Sequence, residues 1–256
     1  MDDNQVIEHG GFLYCETSIV TIDTNSFVLN KAFLHGGVLA GLGYCKINAV
    51  NSYFGNNYGG YGGVFYKSSN LPITASQNVI VNNGATYLGH IAFTDDKKSP
   101  VAVDQTNYIE TQHIGPMYVT DARELIFNGP APNYLLNGGI NHLSLIVKDF
   151  YNNTLEDSNI GLENVMLSLL NPTTAVIQSA TSAEVVNGTV NFEVVFSGKF
   201  DMNHTILFNS DPPGVKQNLT FNFQTCGVGE KKISDGAFPF CSTCEESKYH
   251  FIQQGL

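Results

Sequence analysis

A repeat of 26 residues in the first half of the chain is the feature that most constrains its fold. When the sequence is shifted against itself by 26 residues, the glycine pairs at 10–11, 36–37 and 62–63 fall in one column without a gap, and Leu88-Gly89 follows. Two further columns keep this period. They are Asn4, Asn30, Asn56 and Asn82, and the apolar set Leu13, Leu39, Phe65, Ile91 and Met117. A constant period with short β-type segments and no helical pattern predicts a solenoid.

The columns predict an all-β fold that begins with a short parallel β-helix of about four coils over residues 1–118. Each coil supplies about three short strands, and coils stack about 4.8 Å apart, so equivalent side chains form ladders. The predicted ladder consists of the asparagine column and the corner glycines Gly11, Gly37, Gly63 and Gly89. A phosphate-binding loop in the glycine-rich stretch 55–66 would need a following helix, which Pro72 in "VFYKSSNLPIT" argues against.

The repeated unit is an aromatic or aliphatic residue, Asn, a few small residues, Gly-Gly and an apolar-Tyr pair. It resembles the repeats of polymorphic outer-membrane-type β-helices, which also occur in large surface proteins of protists. The resemblance covers residues 1–118 and implies a right-handed solenoid and a surface or adhesion setting, with no inherited catalytic residues. Asn107 stands where the column predicts position 108, so we expect the fourth coil to be degenerate.

Residues 119–225 follow a different pattern, with apolar residues at alternate positions of short segments such as "HLSLIVKD" and "TVNFEVVF". Turn signals including Asn187-Gly188 and "DPPG" separate the segments. Spacings of about ten residues predict an antiparallel β-sandwich of roughly seven strands. The pattern resembles immunoglobulin- or filamin-like modules, and this resemblance implies a spacer or adhesion unit.

Residues 226–256 are predicted to be a small disulfide-rich tail. Cys226, Cys241 and Cys244, with Gly229, Glu230 and Tyr249, resemble the opening of growth-factor-receptor-like cysteine-rich repeats. The resemblance implies a Cys226–Cys241 disulfide, with Cys244 pairing to a cysteine further along the chain. A zinc site formed by the three cysteines and His250 is the alternative.

Cys15 and Cys45 fall in different columns and different coils, so the repeat does not require a disulfide between them. Cys45 takes the place of Ile19 and Leu71 in an apolar column and is interpreted as a buried apolar residue.

Charge and glycosylation signals bear on the compartment. The net charge of −11 with one arginine, Arg123, argues against nucleic-acid binding and against anionic membrane surfaces. No apolar run is long enough to span a membrane.

Acceptor motifs for N-linked glycans lie at Asn152, Asn187, Asn203 and Asn218. Together with the terminal cysteines they predict the secretory pathway. Because "MDDNQVIEHGG" lacks a secretion signal, we expect the chain to be part of a longer protein.

A search for catalytic or metal-binding clusters finds little. Glu8, Glu16 and Asp23 share no column, and Asp95 falls in the polar segment "TDDKKSP", which we interpret as a solvated loop. His9 and His35 lie in register and could hold a metal ion. Tyr61 and Tyr87 continue that column, however, and favour an outward aromatic ladder.

The segment containing Asp149, Asn152 and Asn153 could bind calcium, but a β-turn favours the same residue types. We therefore expect no catalytic residue, no metal and no cofactor in this chain.

The sequence thus predicts a non-catalytic structural or adhesive protein of the extracellular space or cell surface. It would act as a rigid spacer or as a building block of a surface filament or coat. Expected partners are other surface or filament proteins, including copies of itself, and N-linked glycans, but not nucleic acid. A ligand-binding receptor ectodomain is the alternative function, and a polysaccharide-acting enzyme is a third hypothesis.

Overall fold

The fold was obtained as a computed structural model that describes residues 4–95, 99–156, 162–211, 214–227, 230–233 and 238–243. These residues form 28 β-strands, and no helix occurs in these ranges. The chain divides into two compact units. The first comprises residues 1–123 and 148–155, and the second comprises residues 124–147 and 156–256. The fold class is therefore all-β, as the sequence predicts.

The first unit is a parallel β-solenoid of about four turns. Its four sheets have the strand orders β1-β5-β9-β13, β2-β6-β10-β14-β17, β3-β7-β11-β15 and β4-β8-β12-β16. The strands are β1 Gln5–Val6, β2 Leu13–Cys15, β3 Ile19–Asp23, β4 Ser26–Val28, β5 Lys31–Ala32, β6 Leu39–Gly43, β7 Lys46–Val50, β8 Tyr53–Gly55, β9 Tyr58–Tyr61, β10 Phe65–Ser69, β11 Ile73–Ser76, β12 Val79–Val81, β13 Gly84–Leu88, β14 Ala92–Thr94, β15 Ala102–Val103, β16 Tyr108–Glu110 and β17 Tyr118–Thr120.

A full coil carries four strands instead of the predicted three, because the strand ahead of the glycines pairs as a short sheet of its own. The predicted right-handed sense of the winding stays a prediction.

The interior of the solenoid is formed by apolar columns, one side chain per coil. Leu39 and Phe65 lie level in adjacent strands and are fully buried, as are Ile47 and Ile73 in the next sheet. Phe27 and Phe54 stack with ring centroids 5.2 Å apart. The predicted apolar column is thus the inner wall in its first three coils. Beyond them, Ala92 and then Tyr118 continue the row of Phe65 where the period predicts Ile91 and Met117, and Met117 is 37% exposed.

The period is not a constant 26 residues, and this corrects the predicted asparagine ladder. Cys15 pairs with Gly41, 26 residues on, whereas Ile19 pairs with Lys46, 27 residues on, so the second coil contains one extra residue between β6 and β7. As a result the side chain level with Asn30 is that of Asn57.

The ladder that forms joins four asparagine amides on successive coils. The Nδ2 of Asn4 donates to the Oδ1 of Asn30 at 3.1 Å. The Nδ2 of Asn30 donates to the Oδ1 of Asn57 at 3.0 Å, and Asn57 in turn donates to Asn83 at 2.9 Å. Asn56 and Asn82 are therefore not ladder members, and they take positive φ angles of 53° and 50°.

A second polar ladder runs along the preceding corner and was not predicted. The backbone N–H of Asn25 donates to the hydroxyl of Ser52, the N–H of Ser52 to the Oδ1 of Asn78, and the N–H of Asn78 to the Oδ1 of Asn107, at 2.9–3.1 Å. The sequence suggests that Asn107 is a displaced member of the first ladder, and this is wrong. It continues this second one.

The corner glycines are required by close approach of neighbouring backbones. A Cβ on Gly37 would lie 2.1 Å from the carbonyl oxygen of Gly63, and one on Gly11 would lie equally close to that of Gly37. Gly89 does not continue this row, because it has a φ of 72° and is equivalent to Gly62. A Cβ on Gly63 meets the carbonyl of His90, which takes the predicted place of Gly89.

A disulfide joins the first and second coils through Cys15 and Cys45. The interpretation of Cys45 as an ordinary buried apolar residue is therefore wrong, although the side chain is fully buried. The two residues occupy different columns, but β2 and β6 are adjacent strands, and the loop that contains the extra residue turns Cys45 back toward the end of β2. Their Cα atoms lie 5.7 Å apart.

The last coil is covered by residues 148–155, which belong to the same unit. The hydroxyl of Tyr151 donates to the carbonyl of Val101 at 3.2 Å, and the side-chain amide of Asn153 donates to the carbonyl of Tyr118 at 2.8 Å. Burial raises the pKa of both Tyr118 and Tyr151 to about 12. These contacts cover the last coil at Val101 and Tyr118, while β15, β16 and β17 are the outermost strands of their sheets.

The second unit contains a nine-stranded sheet of order β18-β20-β24-β23-β21-β25-β26-β19, with β22 paired to β24, and a two-stranded hairpin of β27 and β28. Its strands are β18 Glu124–Phe127, β19 Tyr134–Leu135, β20 Ile140–Lys148, β21 Asn164–Leu169, β22 Ala175–Ile177, β23 Ser182–Val186, β24 Thr189–Gly198, β25 His204–Asp211, β26 Lys216–Phe223, β27 Glu230–Ile233 and β28 Phe240–Thr243.

The sheet folds into two packed layers because β23 changes partner along its length. Residues 182–184 pair with β21, while Val185 and Val186 pair with β24. Phe192 of β24 packs against Phe208 of β25, with ring centroids 5.7 Å apart. The sandwich has two more strands than the seven predicted. One pairing, β19 with β26, is parallel.

A disulfide joins Cys241 of β28 to Cys226, which precedes β27. This is the pairing that the growth-factor-receptor-like resemblance implies. Cys244, Gly229, Tyr249 and His250 lie outside the described residues. The hairpin belongs to the second compact unit, and the boundaries at 118/119 and 225/226 stay predictions.

Candidate contact surface

A row of stacked rings runs along one wall of the solenoid, at the end of the sheet β1-β5-β9-β13. It consists of His9, His35, Tyr61 and Tyr87, hereafter the stripe. His9 and His35, and then His35 and Tyr61, form parallel bridges between successive coils. The stripe is the outward aromatic ladder that the sequence predicts.

Each ring of the stripe lies over the next. The ring centroids are 4.7 Å apart for His9 and His35, 5.9 Å for His35 and Tyr61, and 5.0 Å for Tyr61 and Tyr87. Because the ring faces cover one another, the stripe offers mainly ring edges to a partner. Edges with N–H and O–H groups suit a hydrogen-bonding protein surface better than the flat face of a sugar.

A second row of rings supports the stripe from the neighbouring sheet. Tyr14 stacks on His9, Tyr66 packs on His35 with centroids 4.0 Å apart, and Phe93 packs on Tyr61. The hydroxyl of Tyr66 donates to the carboxylate of Asp95 at 2.6 Å. Burial first, and then the charge of Asp95, raises the pKa of Tyr66 above its ordinary value. The supporting row therefore stays neutral over the physiological range.

The Tyr14 phenol and the His35 imidazole have their pKa values shifted by different surroundings. Tyr14 donates its hydroxyl to Glu16, and this bond raises the pKa of Tyr14. The imidazole of His35 has its pKa lowered to about 4, mainly by burial and then by the charge of His9. His35 is therefore neutral at pH 7.

Large apolar side chains lie exposed on the same wall. Ile7 is 78% exposed, Phe33 57% and Tyr87 50%, and Leu34 is also exposed. The ammonium group of Lys31 lies 5.0 Å from the ring centroid of Phe33. We call the stripe together with Ile7, Phe33 and Leu34 the contact wall. Exposed apolar groups with a polar rim are typical of protein interaction sites.

Two other walls provide a comparison. The sheet β3-β7-β11-β15 has an outward column of Thr21, Asn48 and Thr74, in which Thr74 donates to the side chain of Asn48 at 2.8 Å. The sheet β4-β8-β12-β16 exposes Tyr53 and Tyr108, which are separated by Val79. Only the contact wall combines a continuous ring stack with exposed aliphatic residues among the described residues of the solenoid.

The carboxylates that the sequence analysis examines as catalytic candidates, Asp23 and Asp95, lie on different coils and are each hydrogen-bonded to neighbouring side chains. Asp23 accepts hydrogen bonds from Asn51 and Thr24 on the surface, and these bonds, that of Asn51 first, lower its pKa. Asp95 is held by Tyr66 on another coil. Across the described ranges no group of three or more His, Cys, Asp or Glu side chains could hold a metal ion.

The segment that the sequence offers for calcium binding is a turn held by the buried carboxylate of Asp149. One carboxylate oxygen of Asp149 accepts the N–H of Asn153 at 2.7 Å, and the other accepts the N–H of Thr120 at 3.1 Å and the side-chain amide of Asn153 at 2.9 Å. Asp149 is 3% exposed. Because amide donors occupy both oxygens, this carboxylate secures the segment that covers the last coil.

The four glycan acceptors are all exposed. Asn187 has a φ of 49° in the turn between β23 and β24, Asn152 has a φ of 66°, Asn203 precedes β25, and Asn218 lies on β26. The sites are thus placed where an enzyme could reach them.

No helix in the described ranges is long and apolar enough to cross a membrane.

No protein-family model and no curated protein sequence matches the chain. Among solved structures, it is similar to domains 4 and 5 of the S-layer protein SbsC, at 14% identity and a TM-score of 0.30, with 42% of this chain and 56% of that one covered. Domains 4–9 of the surface layer protein SbsC match at 15% identity and a TM-score of 0.32, covering 48% of this chain and 18% of that one.

The longer S-layer protein structure rSbsC(31-844) matches at 14% identity and a TM-score of 0.32, with 47% and 16% covered. The chain spans less than two thirds of each of these structures. At TM-scores of this size, the likeness establishes neither a shared fold nor a shared function.

Proposed function

We propose that this chain is a structural or adhesive part of an extracellular or cell-surface protein. In this role the solenoid is a stiff spacer that presents the contact wall to another surface protein or to a second copy of itself. The protein acts by binding and has no catalytic activity. The observation that carries the proposal is the contact wall, an exposed apolar surface held by a continuous ring stack.

Stiffness is supported by bonding that repeats in every coil. Buried amides such as those of Asn30 and Asn57 bond to the coil before and the coil after, so no coil moves without breaking side-chain and backbone bonds together. A spacer needs such a connection along its axis. A catalytic site would instead need titratable groups brought together in a cleft.

An extracellular setting is supported by the two disulfides. Cys15–Cys45 and Cys226–Cys241 are bonds of the kind that persist in oxidising compartments and are rare in the cytosol. The exposed acceptor sites fit the same compartment. Filament formation, adhesion and glycan attachment belong to this proposal.

Self-association of the chain tests the proposal. We expect the double variant Phe33→Ser/Tyr87→Ser to weaken self-association at least about tenfold, because removal of two large apolar side chains from an interface costs more than about 1.4 kcal/mol. Sedimentation velocity over a concentration series measures the dissociation constant.

The matched control is Thr21→Ser/Asn48→Ser on the outward face of the sheet β3-β7-β11-β15, which we expect to leave self-association unchanged. Tyr108→Ser tests the second exposed aromatic surface. Equal weakening by the control, or a wild-type chain that stays monomeric at every concentration, would count against the contact wall as a self-association surface.

A further inference from the structure

His9 and His35 are joined through their Nδ1 atoms, which lie 2.8 Å apart. The ring planes are within 10° of parallel. This geometry is an N–H···N hydrogen bond between the first and second coils, in which one Nδ1 carries a proton and the other accepts it. By contrast, the side-chain bonds of the two polar ladders are made by groups that do not titrate near pH 7.

The number of protons on the two rings decides whether this bond can exist. Two neutral imidazoles form it, because one ring carries its proton on Nδ1 and the other on Nε2. A pair with one extra proton also forms it. When both rings are protonated, each Nδ1 carries a hydrogen, and two donors with like charges face each other at hydrogen-bond distance.

The charged and titratable groups around the pair do not prevent this repulsion. His9 is covered by Tyr14, whose hydroxyl is engaged by Glu16, and Glu8 lies in the same coil. His35 is covered by Tyr66 and Tyr61. The carboxylate of Asp95 is bonded to the Tyr66 hydroxyl, so no acid is bonded to the His35 ring among the described contacts.

We propose that the His9–His35 pair is a proton-controlled latch that holds the first coil against the second at neutral pH and releases it in acid. The latch acts on backbone bonds beside it. The N–H of Gly10 donates to the carbonyl of His35 at 2.8 Å, and the N–H of His35 donates to the carbonyl of Glu8 at 2.9 Å. Cys15–Cys45 keeps the released coil attached elsewhere.

The pH window follows from the direction of the shift. The pKa of His35 is lowered from about 6.5 in an unfolded chain to about 4 in the folded one, by burial and then by the charge of His9. Between these values the open form binds more protons than the latched form. The latch is therefore fully stabilising above about pH 6.5 and weakens as the pH falls toward 4.

Release of the latch also alters the contact wall, because His9 and His35 belong to both. That consequence rests on the proposed function. The latch itself does not, since its test reads the coil and not a binding partner.

Hydrogen exchange of single amides tests the latch in the whole chain. We expect the protection of the Gly10 and His35 amides, corrected for the intrinsic rate, to fall about tenfold or more from about pH 7 to about pH 4.5. The amides of Gly36 and Gly62 make the equivalent bonds one and two coils further on. They should change much less.

Variants separate the latch from general acid unfolding. His35→Tyr places in the second coil the residue type found at Tyr61, which preserves the stack and removes the second imidazole, and we expect it to abolish the selective loss. His9→Phe serves the same purpose if His35→Tyr fails to fold. His142→Gln removes an exposed imidazole 3.6 Å from Glu193 in the other unit and should leave the loss intact.

The latch is refuted if wild-type protection at Gly10 and His35 is the same at both pH values, if His35→Tyr and His9→Phe lose protection as the wild type does, or if Gly36 and Gly62 lose it equally.

Discussion

Neighbouring asparagines in the solenoid have different tasks. Asn56-Asn57 and Asn82-Asn83 each place their first residue in the left-handed region, where Asn is tolerated, and their second in the ladder. In the coil before, Leu29 takes the first place with a φ of 58°. The residue type alone does not tell the two tasks apart, because a polar amide suits both.

The side-chain amide of Asn57 is hydrogen-bonded to both neighbouring coils. Its Oδ1 accepts from the backbone and side chain of Asn30, and its Nδ2 donates to the carbonyl of Phe27 at 2.9 Å and to Asn83. Asn57→Ala leaves these buried groups without partners and should lower the free energy of unfolding by about 3 kcal/mol. Denaturant titration measures the loss.

Asn56→Gly is the matched control, because glycine accepts the left-handed conformation of position 56 and the side chain there is exposed. We expect a change within about 0.5 kcal/mol. A larger loss for Asn56→Gly than for Asn57→Ala would restore the constant 26-residue register.

At the scale of the element, the coil is the unit that must be joined to its neighbours. Strands of two to five residues supply few backbone hydrogen bonds each. The side chains of the polar ladders add further hydrogen bonds between coils. The first two coils receive a covalent link as well. Because Cys15 and Cys45 are 30 residues apart, this link closes a loop of about one coil in the unfolded chain.

Removal of the Cys15–Cys45 disulfide should measurably lower the stability of the solenoid. Cys15→Ser/Cys45→Ser is expected to destabilise the solenoid by about 3–4 kcal/mol, since a disulfide that closes a loop of this length lowers the entropy of the unfolded chain by a corresponding amount. Hydrogen exchange at the Lys31 and Leu39 amides, which bond to neighbouring coils, reports the change.

Cys226→Ser/Cys241→Ser is the control for the same exchange measurement, because this disulfide belongs to the other compact unit. We expect it to leave Lys31 and Leu39 as protected as in the wild type. If the first pair of substitutions has no greater effect than the second, the disulfide does not stabilise the coils.

At the scale of the whole molecule, two kinds of β-architecture follow one another in one chain. The first unit stacks parallel strands in register, and the second pairs long strands mainly antiparallel. Among the described residues, neither unit contains a group of three or more His, Cys, Asp or Glu side chains that could hold a metal ion.

The whole molecule is expected to carry N-linked glycans on its surface. When the chain is secreted from eukaryotic cells, we expect N-linked sugars on at least one of Asn152, Asn187, Asn203 and Asn218, because all four side chains are exposed. Mass spectrometry of peptides before and after enzymatic deglycosylation measures occupancy at each site.

The matching Asn→Gln substitutions should remove the corresponding mass without altering the fold. Secretion with all four asparagines unmodified would contradict the glycoprotein part of the proposal.

Much of the architecture was predictable, since period and alternation arise from local requirements. An inward position must be apolar in every coil, and a corner where backbones approach to near contact must be glycine. Columns such as Leu39 with Phe65 and rows such as Gly11 with Gly37 therefore show in the sequence. The stripe was predictable for the same reason, because His35 and Tyr61 repeat at one position.

The sequence by itself determined that the first half winds as a β-solenoid, that the second half pairs alternating strands, and that a ring stack lies on the wall. Only the tertiary structure decided which asparagine is level with which, that Cys15 meets Cys45, and that residues 148–155 cover the last coil. These depend on single-residue insertions and on contacts between distant segments. A one-residue shift costs little in a turn, but it changes every partner that follows.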